Sequence, residues 1–186
     1  MGRENPLFAN AEYNGYDYSQ PGFYGITLCT YHRRWFFGRI SDGQMLLNQV
    51  GHIAQEVWAG LANRWPCVHL HEYVFMPNHM HSIIELIEAP RHKPVSVFEV
   101  IRAYKALASY TIRKSVGDLW LGWQEGGWKT VVLSETRLAR ARQYISDNPA
   151  RWTEDRLMKE EFKRHEIHRS RQIKRQARRN AGDSPS

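Results

Sequence analysis

The sequence predicts an α+β domain, on three observations. Two strand pairs are each joined by a tight turn, three segments repeat apolar residues at helical spacing, and a short strand precedes the last helix. In order, Met1 to Gln20 is polar and rich in Gly, Asn and Tyr, an irregular lead-in. Gly22 to Tyr31 reads as a first strand, and Arg39 to Leu47 as a hairpin on an Asp42-Gly43 turn. From Asn48 to Arg64, Val50, Ile53, Ala54, Val57, Trp58 and Leu61 keep helical spacing. Val68 to Phe75 and His79 to Glu88 are strands joined by Met76-Pro77-Asn78, followed by a Pro- and charge-rich connection from Glu88 to Pro94. Ser96 to Val116 is a second helix, with Val97, Ile101, Tyr104, Leu107 and Ala108 on one side and Arg102, Lys105, Arg113 and Lys114 on the other. Trp120 to Gly127 is a loop, Trp128 to Leu133 a strand, and Ser134 the N-cap of a helix that carries Leu138, Ala141 and Ile145 inward.

Composition bounds the rest. A chain of 186 residues and 21.9 kDa with 12% aromatic residues is expected to form one domain with a substantial core. Cys29 and Cys67 are too few and too distant for a disulfide framework or zinc finger, which points to a reducing, cytoplasmic home. No apolar run approaches the roughly 20 residues of a membrane span, and Met1 to Asn10 lacks the layout of a secretion signal. The net charge is +7, and Lys163 to Arg179 holds eight basic residues against the single acid Glu166, leaving the remainder neutral. Residues 153–186 are therefore expected to be a basic helical tail, disordered at its end, in which Arg169, Arg171, Lys174 and Arg175 bind a polyanion through counterion release. A solvated tail that keeps the protein soluble is the other reading.

The motif that carries chemistry is Tyr73-Val74-Phe75-Met76-Pro77-Asn78-His79-Met80-His81. Strand side chains alternate faces, so His79 and His81 project together with Met80 opposite, a two-point clamp for a divalent cation. A pair of solvated or core-satisfied histidines has the same spacing. Pro77 and Asn78 mark a chain reversal, and Ser82 to Ile87 reads as a buried central strand that would hold the pair rigidly. On the last helix Tyr144 and Asn148 stand at i and i+4, one turn apart on one face, and Pro149 is expected to end the helix by forcing Asn148 out of helical geometry. Taken alone, that segment reads first as a half-buried tyrosine and a helix-stop asparagine. Taken together, the parts fit one reaction: an unperturbed phenol titrates near pH ~10, a cation raises the electrophilicity of a phosphate, and Asn148 offers an amide oxygen as third ligand.

Three stretches, Tyr73 to His81, Trp123-Gln124 and Tyr144 to Trp152, resemble in order the REP-associated tyrosine transposases, a branch of the single-tyrosine HUH transposases. The likeness runs from about Tyr16 to Leu157 and includes Tyr16-Asp17-Tyr18, Gly22-Phe23-Tyr24 with Thr27, Phe37-Gly38, Asp42-Gly43, Leu47-Asn48 and Ala103-Tyr104-Lys105. The resemblance implies a ferredoxin-like sandwich, an antiparallel sheet over which the tyrosine helix packs to meet the histidine pair. It implies Mg²⁺ or Mn²⁺ as cofactor, where imidazole ligands alone point to zinc. It implies a nick in single-stranded DNA beside an imperfect palindromic hairpin, with Tyr144 as nucleophile leaving a 5′-phosphotyrosine and a free 3′-OH, and His79, His81 and Asn148 as metal ligands. A monomer or homodimer associated with the nucleoid is expected.

One departure stands out: relatives continue the Trp-Gln loop with a Tyr-Tyr-Glu-His-like run, whereas this chain has Gly126-Gly127-Trp128-Lys129-Thr130-Val131. That substitution supports a rival, a catalytically silent DNA-binding protein of the same fold; a hydrolase using water in place of tyrosine is the second. Of the other candidates, Lys105 is expected to touch DNA phosphate, and Trp123 and Gln124 to stack on or bond a base. Tyr104 and Tyr110 read as packing residues, Arg33 and Arg34 as surface charges.

Overall fold

The strand β1 (Gly22–Cys29) is nearly devoid of polar alternation because both of its faces are covered. A computed structural model of the protein describes residues 15–88, 93–117, 121–125 and 127–154. The expected tail from 155 onward, with Arg169, Arg171, Lys174 and Arg175, and the first fourteen residues of the lead-in lie outside the described residues. After β1 the chain makes a 3-10 turn (Tyr31–Arg33), then β2 (Gly38–Ser41), β3 (Gln44–Leu47), α1 (Gln49–Gly60), β4 (Val68–Met76), β5 (His79–Leu86), α2 (Val97–Val116), β6 (Trp128–Val132), α3 (Glu135–Asp147) and a second 3-10 stretch (Pro149–Glu154).

The sheet runs β4-β5-β1-β6 with every neighbouring pair antiparallel. With α1 before β4 and α2 after β5, this is the β-α-β-β-α-β order of a ferredoxin-like sandwich. The β2–β3 hairpin is an insertion between β1 and α1 that forms its own two-stranded sheet. Its turn needs two left-handed residues, which Asp42 (φ 52°) and Gly43 (φ 72°) supply.

Alternation assigns the two faces. Tyr24, Ile26 and Leu28 from β1 and Met80, Ile84 and Leu86 from β5 join the large core with Ala54 and Trp58 of α1 and Val100, Tyr104 and Ala108 of α2. There the Trp58 and Tyr104 rings meet edge to face at 5.0 Å, and the Tyr104 hydroxyl donates to the Ala54 carbonyl at 3.3 Å. On the other face Ile83 packs under Leu138, Ala141 and Ile145 of α3. Each such fully buried aliphatic side chain contributes roughly 1.5–3 kcal/mol.

Caps fix where the helices start. Asn48 accepts from the Gly51 N–H at 2.9 Å, and a Cβ at Gly51 would lie 2.1 Å from the Phe37 carbonyl oxygen, so only glycine lets α1 approach that strand exit. Ser96 and Glu99 form a reciprocal capping box on α2, worth about 1 kcal/mol. The described part of the lead-in, 15–20, holds no helix or strand, as expected, but it is anchored: Tyr18 is buried in the core, touches the Phe98 ring, and its carbonyl accepts from the Val97 N–H at 3.0 Å. No helix among the described residues is long and apolar enough to cross a membrane.

Candidate active site

β4 and β5 reverse across Pro77 and Asn78, with Met76 paired to His79. The turn is held from outside: the Asn78 carbonyl accepts from the Thr30 N–H at 3.0 Å and the Thr30 hydroxyl at 2.9 Å, and the Pro77 carbonyl from the Phe37 N–H at 3.1 Å. His79 therefore begins β5 at an anchored point, and His81 follows on the same face.

Both imidazoles are fully buried and aim at one another, Nε2 to Nε2 at 3.1 Å. Their outer nitrogens are engaged as well: His79 Nδ1 donates to Asn78 Oδ1 at 2.7 Å, and His81 Nδ1 meets Thr27 Oγ1 at 2.7 Å. Burial, with help from His81 and the Arg33 charge, holds His79 well below the ordinary histidine range, and burial pushes His81 down to about 3. At neutral pH both rings are uncharged, the state in which imidazole ligates metals.

α3 brings the tyrosine. Ser134 caps it, accepting from the Arg137 N–H at 3.3 Å, its apolar stripe seats it on Ile83, and Arg142 Nε donates to Glu72 Oε2 of β4 at 3.1 Å. The half-buried Tyr144 ring then lies 5.2 Å from the His81 ring, edge to face. One turn on, Asn148 is buried and its Oδ1 accepts no hydrogen bond.

The expectation that Pro149 forces Asn148 out of helical geometry is corrected. Asn148 stays helical (φ −57°, ψ −45°), and Pro149 opens the 3-10 stretch, a first-turn position where its missing N–H costs nothing. The path thus continues past α3 and lays the Trp152 ring over His79, centroids 6.0 Å apart and planes 29° apart. Tyr144 and Trp152 thus flank the histidine pair, and Asn148 lies midway between them in the chain, four residues from each.

The donor set fits a divalent cation. Two nitrogens 3.1 Å apart match the separation that a shared ion with bonds of about 2.1 Å imposes near a right angle. Among the described residues no group of three His, Cys, Asp or Glu side chains gathers at one point, while the amide oxygen of Asn148, one helical turn from Tyr144, is buried and accepts no hydrogen bond, the chemistry of a candidate third donor.

Other expectations change. Arg33 is 4% exposed, not a surface charge: His32 (φ 53°) and Arg33 (φ 55°) are both left-handed, turning the guanidinium inward, where Nη1 donates to Cys29 Sγ at 3.4 Å. Cys29 pairs with His79 across the sheet, which explains the reach of that charge to His79. Arg34 is exposed as expected, over the Phe36 ring. Tyr104 packs as expected, but Tyr110 is 55% exposed. Trp123 is partly buried: its indole sits against Phe37 and Tyr104 on the α1/α2 side and donates to Ser109 Oγ at 3.0 Å. Lys105 Nζ donates to the Gln124 carbonyl at 2.9 Å, so these two sit together, with Lys105 on the helix facing away from the histidines. In the departing run Gly126 to Val131, Lys129 of β6 lies over the Phe98 ring at 4.2 Å and is 5% exposed. Spacing assigns no role to Trp152 or Thr27, because their contacts with the histidines are set by tertiary packing, and it assigns Asn78 only a place in the turn, not its bond to the neighbouring His79.

No protein-family model matches the chain. It is 30% identical over 159 residues to an uncharacterized protein of Haemophilus influenzae, covering 76% of this chain and 88% of that protein. A solved structure of a REP-associated tyrosine transposase bound to a REP hairpin superposes with a TM-score of 0.56 at 19% identity, covering 76% of this chain and 74% of that one. The chain belongs to one family with the Haemophilus influenzae protein, and its α+β fold is that of the REP-associated tyrosine transposase.

Proposed function

We propose that the protein is a metal-dependent tyrosine transposase, a single-stranded DNA endonuclease and strand transferase acting beside palindromic hairpins. The observation that carries this reading is the approach of the Tyr144 ring to 5.2 Å from the His81 ring, with Asn148, whose buried Oδ1 accepts no hydrogen bond, one helical turn from Tyr144. The solved relative in fold holds a REP hairpin, which supports the choice of substrate.

His79 and His81 would hold Mg²⁺ or Mn²⁺ by their Nε2 lone pairs and Asn148 by Oδ1. Such an ion, when bound, supplies Lewis-acid polarisation of a scissile phosphate oxygen. Tyr144 Oη attacks the phosphorus, the bond from phosphorus to the 3′ oxygen breaks, and the proton given up by the phenol to solvent is balanced by one that solvent returns to the leaving 3′ oxygen. The products are a 5′-phosphotyrosine on Tyr144 and a free 3′-OH. Attack by a 3′-OH reverses the step and rejoins strands without ATP, because the phosphotyrosine conserves the bond energy. Trp152, 5% exposed over His79, shields that ring from water.

A silent DNA-binding protein of the same fold is the second reading, favoured by the run Trp128 to Val132, which pairs as plain strand β6 with β1. A nicking assay on a labelled single-stranded hairpin with Mn²⁺ separates the readings. Nicking by the wild type that is lost in Tyr144→Phe supports the transposase. Hairpin binding without nicking supports the silent protein, and nicking that survives Tyr144→Phe supports a hydrolase using water.

A further inference from the structure

The two histidines are not equivalent in what holds them. His79 Nδ1 faces Asn78 Oδ1 at 2.7 Å, and a carbonyl oxygen only accepts. The proton of neutral His79 is thereby fixed on Nδ1, leaving Nε2 a bare lone pair. His81 Nδ1 faces a hydroxyl, Thr27 Oγ1, also at 2.7 Å, and a hydroxyl both donates and accepts. Thr27 is 1% exposed and opposite His81 in the register of β1 and β5, so the contact is built into the sheet.

The 3.1 Å between the Nε2 atoms makes the difference consequential. Without a cation, two bare lone pairs at that distance repel, so His81 must carry its proton on Nε2 and donate it to His79, while Thr27 donates its hydroxyl proton to His81 Nδ1. A ligating pair needs the opposite arrangement: His81 Nε2 bare, its proton on Nδ1, and Thr27 turned to accept it. The imidazole keeps one proton throughout; only its place changes.

We infer that Thr27 is a positioning residue whose rotating hydroxyl lets His81 exchange between a proton-donating and a metal-ligating tautomer. The inference rests on the proposed metal site, and it assigns to a strand side chain with no access to substrate a role in cation affinity. Outer partners of ligating histidines typically change affinity by roughly 10–100-fold.

The test uses the full-length protein without DNA and titrates Mn²⁺ by calorimetry into wild type, Thr27→Ser and Thr27→Val. Serine keeps the hydroxyl; valine keeps the shape and removes it. The inference expects Thr27→Val to bind roughly tenfold or more weakly and Thr27→Ser to stay within about threefold of wild type. Imidazole ¹⁵N shifts give a second readout: His81 changes from an Nε2–H to an Nδ1–H tautomer when a diamagnetic ion, Mg²⁺, is added, while His79 stays Nδ1–H. Wild type that binds Mn²⁺ alongside an equally tight Thr27→Val overturns the role of Thr27 and leaves the metal site standing. Wild type that binds no Mn²⁺ overturns the metal site itself, and the inference with it.

Discussion

Asn148→Leu is the substitution for which stability and function are expected to part. Asn148 is 4% exposed and its Oδ1 accepts no hydrogen bond, a state that costs roughly 1–3 kcal/mol. Leucine keeps the branch at Cγ, removes the unsatisfied oxygen and adds apolar burial, offset in part by the larger methyl groups. In EDTA the variant should therefore be more stable than wild type by about 1–2 kcal/mol, a rise in Tm of about 2–8 °C for a domain of this size. Mn²⁺ should reverse the order. At a concentration 100 times its Kd a ligand stabilises the native state by about 2.7 kcal/mol, and only the wild type retains the third donor. Urea denaturation in EDTA and in Mn²⁺ measures both states of both proteins. A variant less stable than wild type in EDTA, or one that gains as much from Mn²⁺, refutes the reasoning that the oxygen is held in reserve for a cation.

Acid should weaken the metal-free protein through its histidines. His81 titrates near 6.5 when unfolded and is pushed by burial to about 3 when folded, so on acidification the unfolded chain binds the proton first. Stability is complete above pH 6.5 and falls toward pH 3 by about 1.4 kcal/mol per pH unit, with His79 steepening the loss because burial lowers it in the same direction. Urea midpoints in EDTA at pH 7.5 and 5.5 check this, and equal midpoints contradict it. Ile145→Ala, at a site 2% exposed under α3, should cost about 2–4 kcal/mol and reduce nicking at temperatures where the fold is still intact, since the same stripe seats Tyr144. Unchanged nicking in a measurably destabilised variant would separate the docking of α3 from the chemistry.

Periodicity made much of this protein legible, because it reports which face a residue occupies. His79 and His81 share a face by alternation, Tyr144 and Asn148 share one by helical spacing, and the Asp42-Gly43 turn and the Ser96 cap are local signals read over four residues or fewer. Partners across the fold were not legible by the same means. The bond between Thr27 and His81 joins positions 54 apart, and whether a threonine on a central strand meets a ring or a methyl group depends on the register of two strands. Arg33 was misplaced because charge argues for exposure, and the left-handed backbone at His32 and Arg33 that turns it inward has no glycine to announce it. The same turn ends β1 at Cys29, two residues short of the apolar run. The packing of the partly buried Trp123 against Tyr104 is likewise a contact between distant segments that spacing does not report.

The most direct measurement is intact-mass spectrometry of the protein after incubation with a single-stranded hairpin oligonucleotide and Mn²⁺, followed by peptide mapping. The account predicts a covalent adduct of protein and cleaved DNA whose mass shift maps to the α3 peptide at Tyr144 and vanishes in Tyr144→Phe. Cleaved DNA with no protein-linked product, or an adduct that persists in Tyr144→Phe, would contradict it.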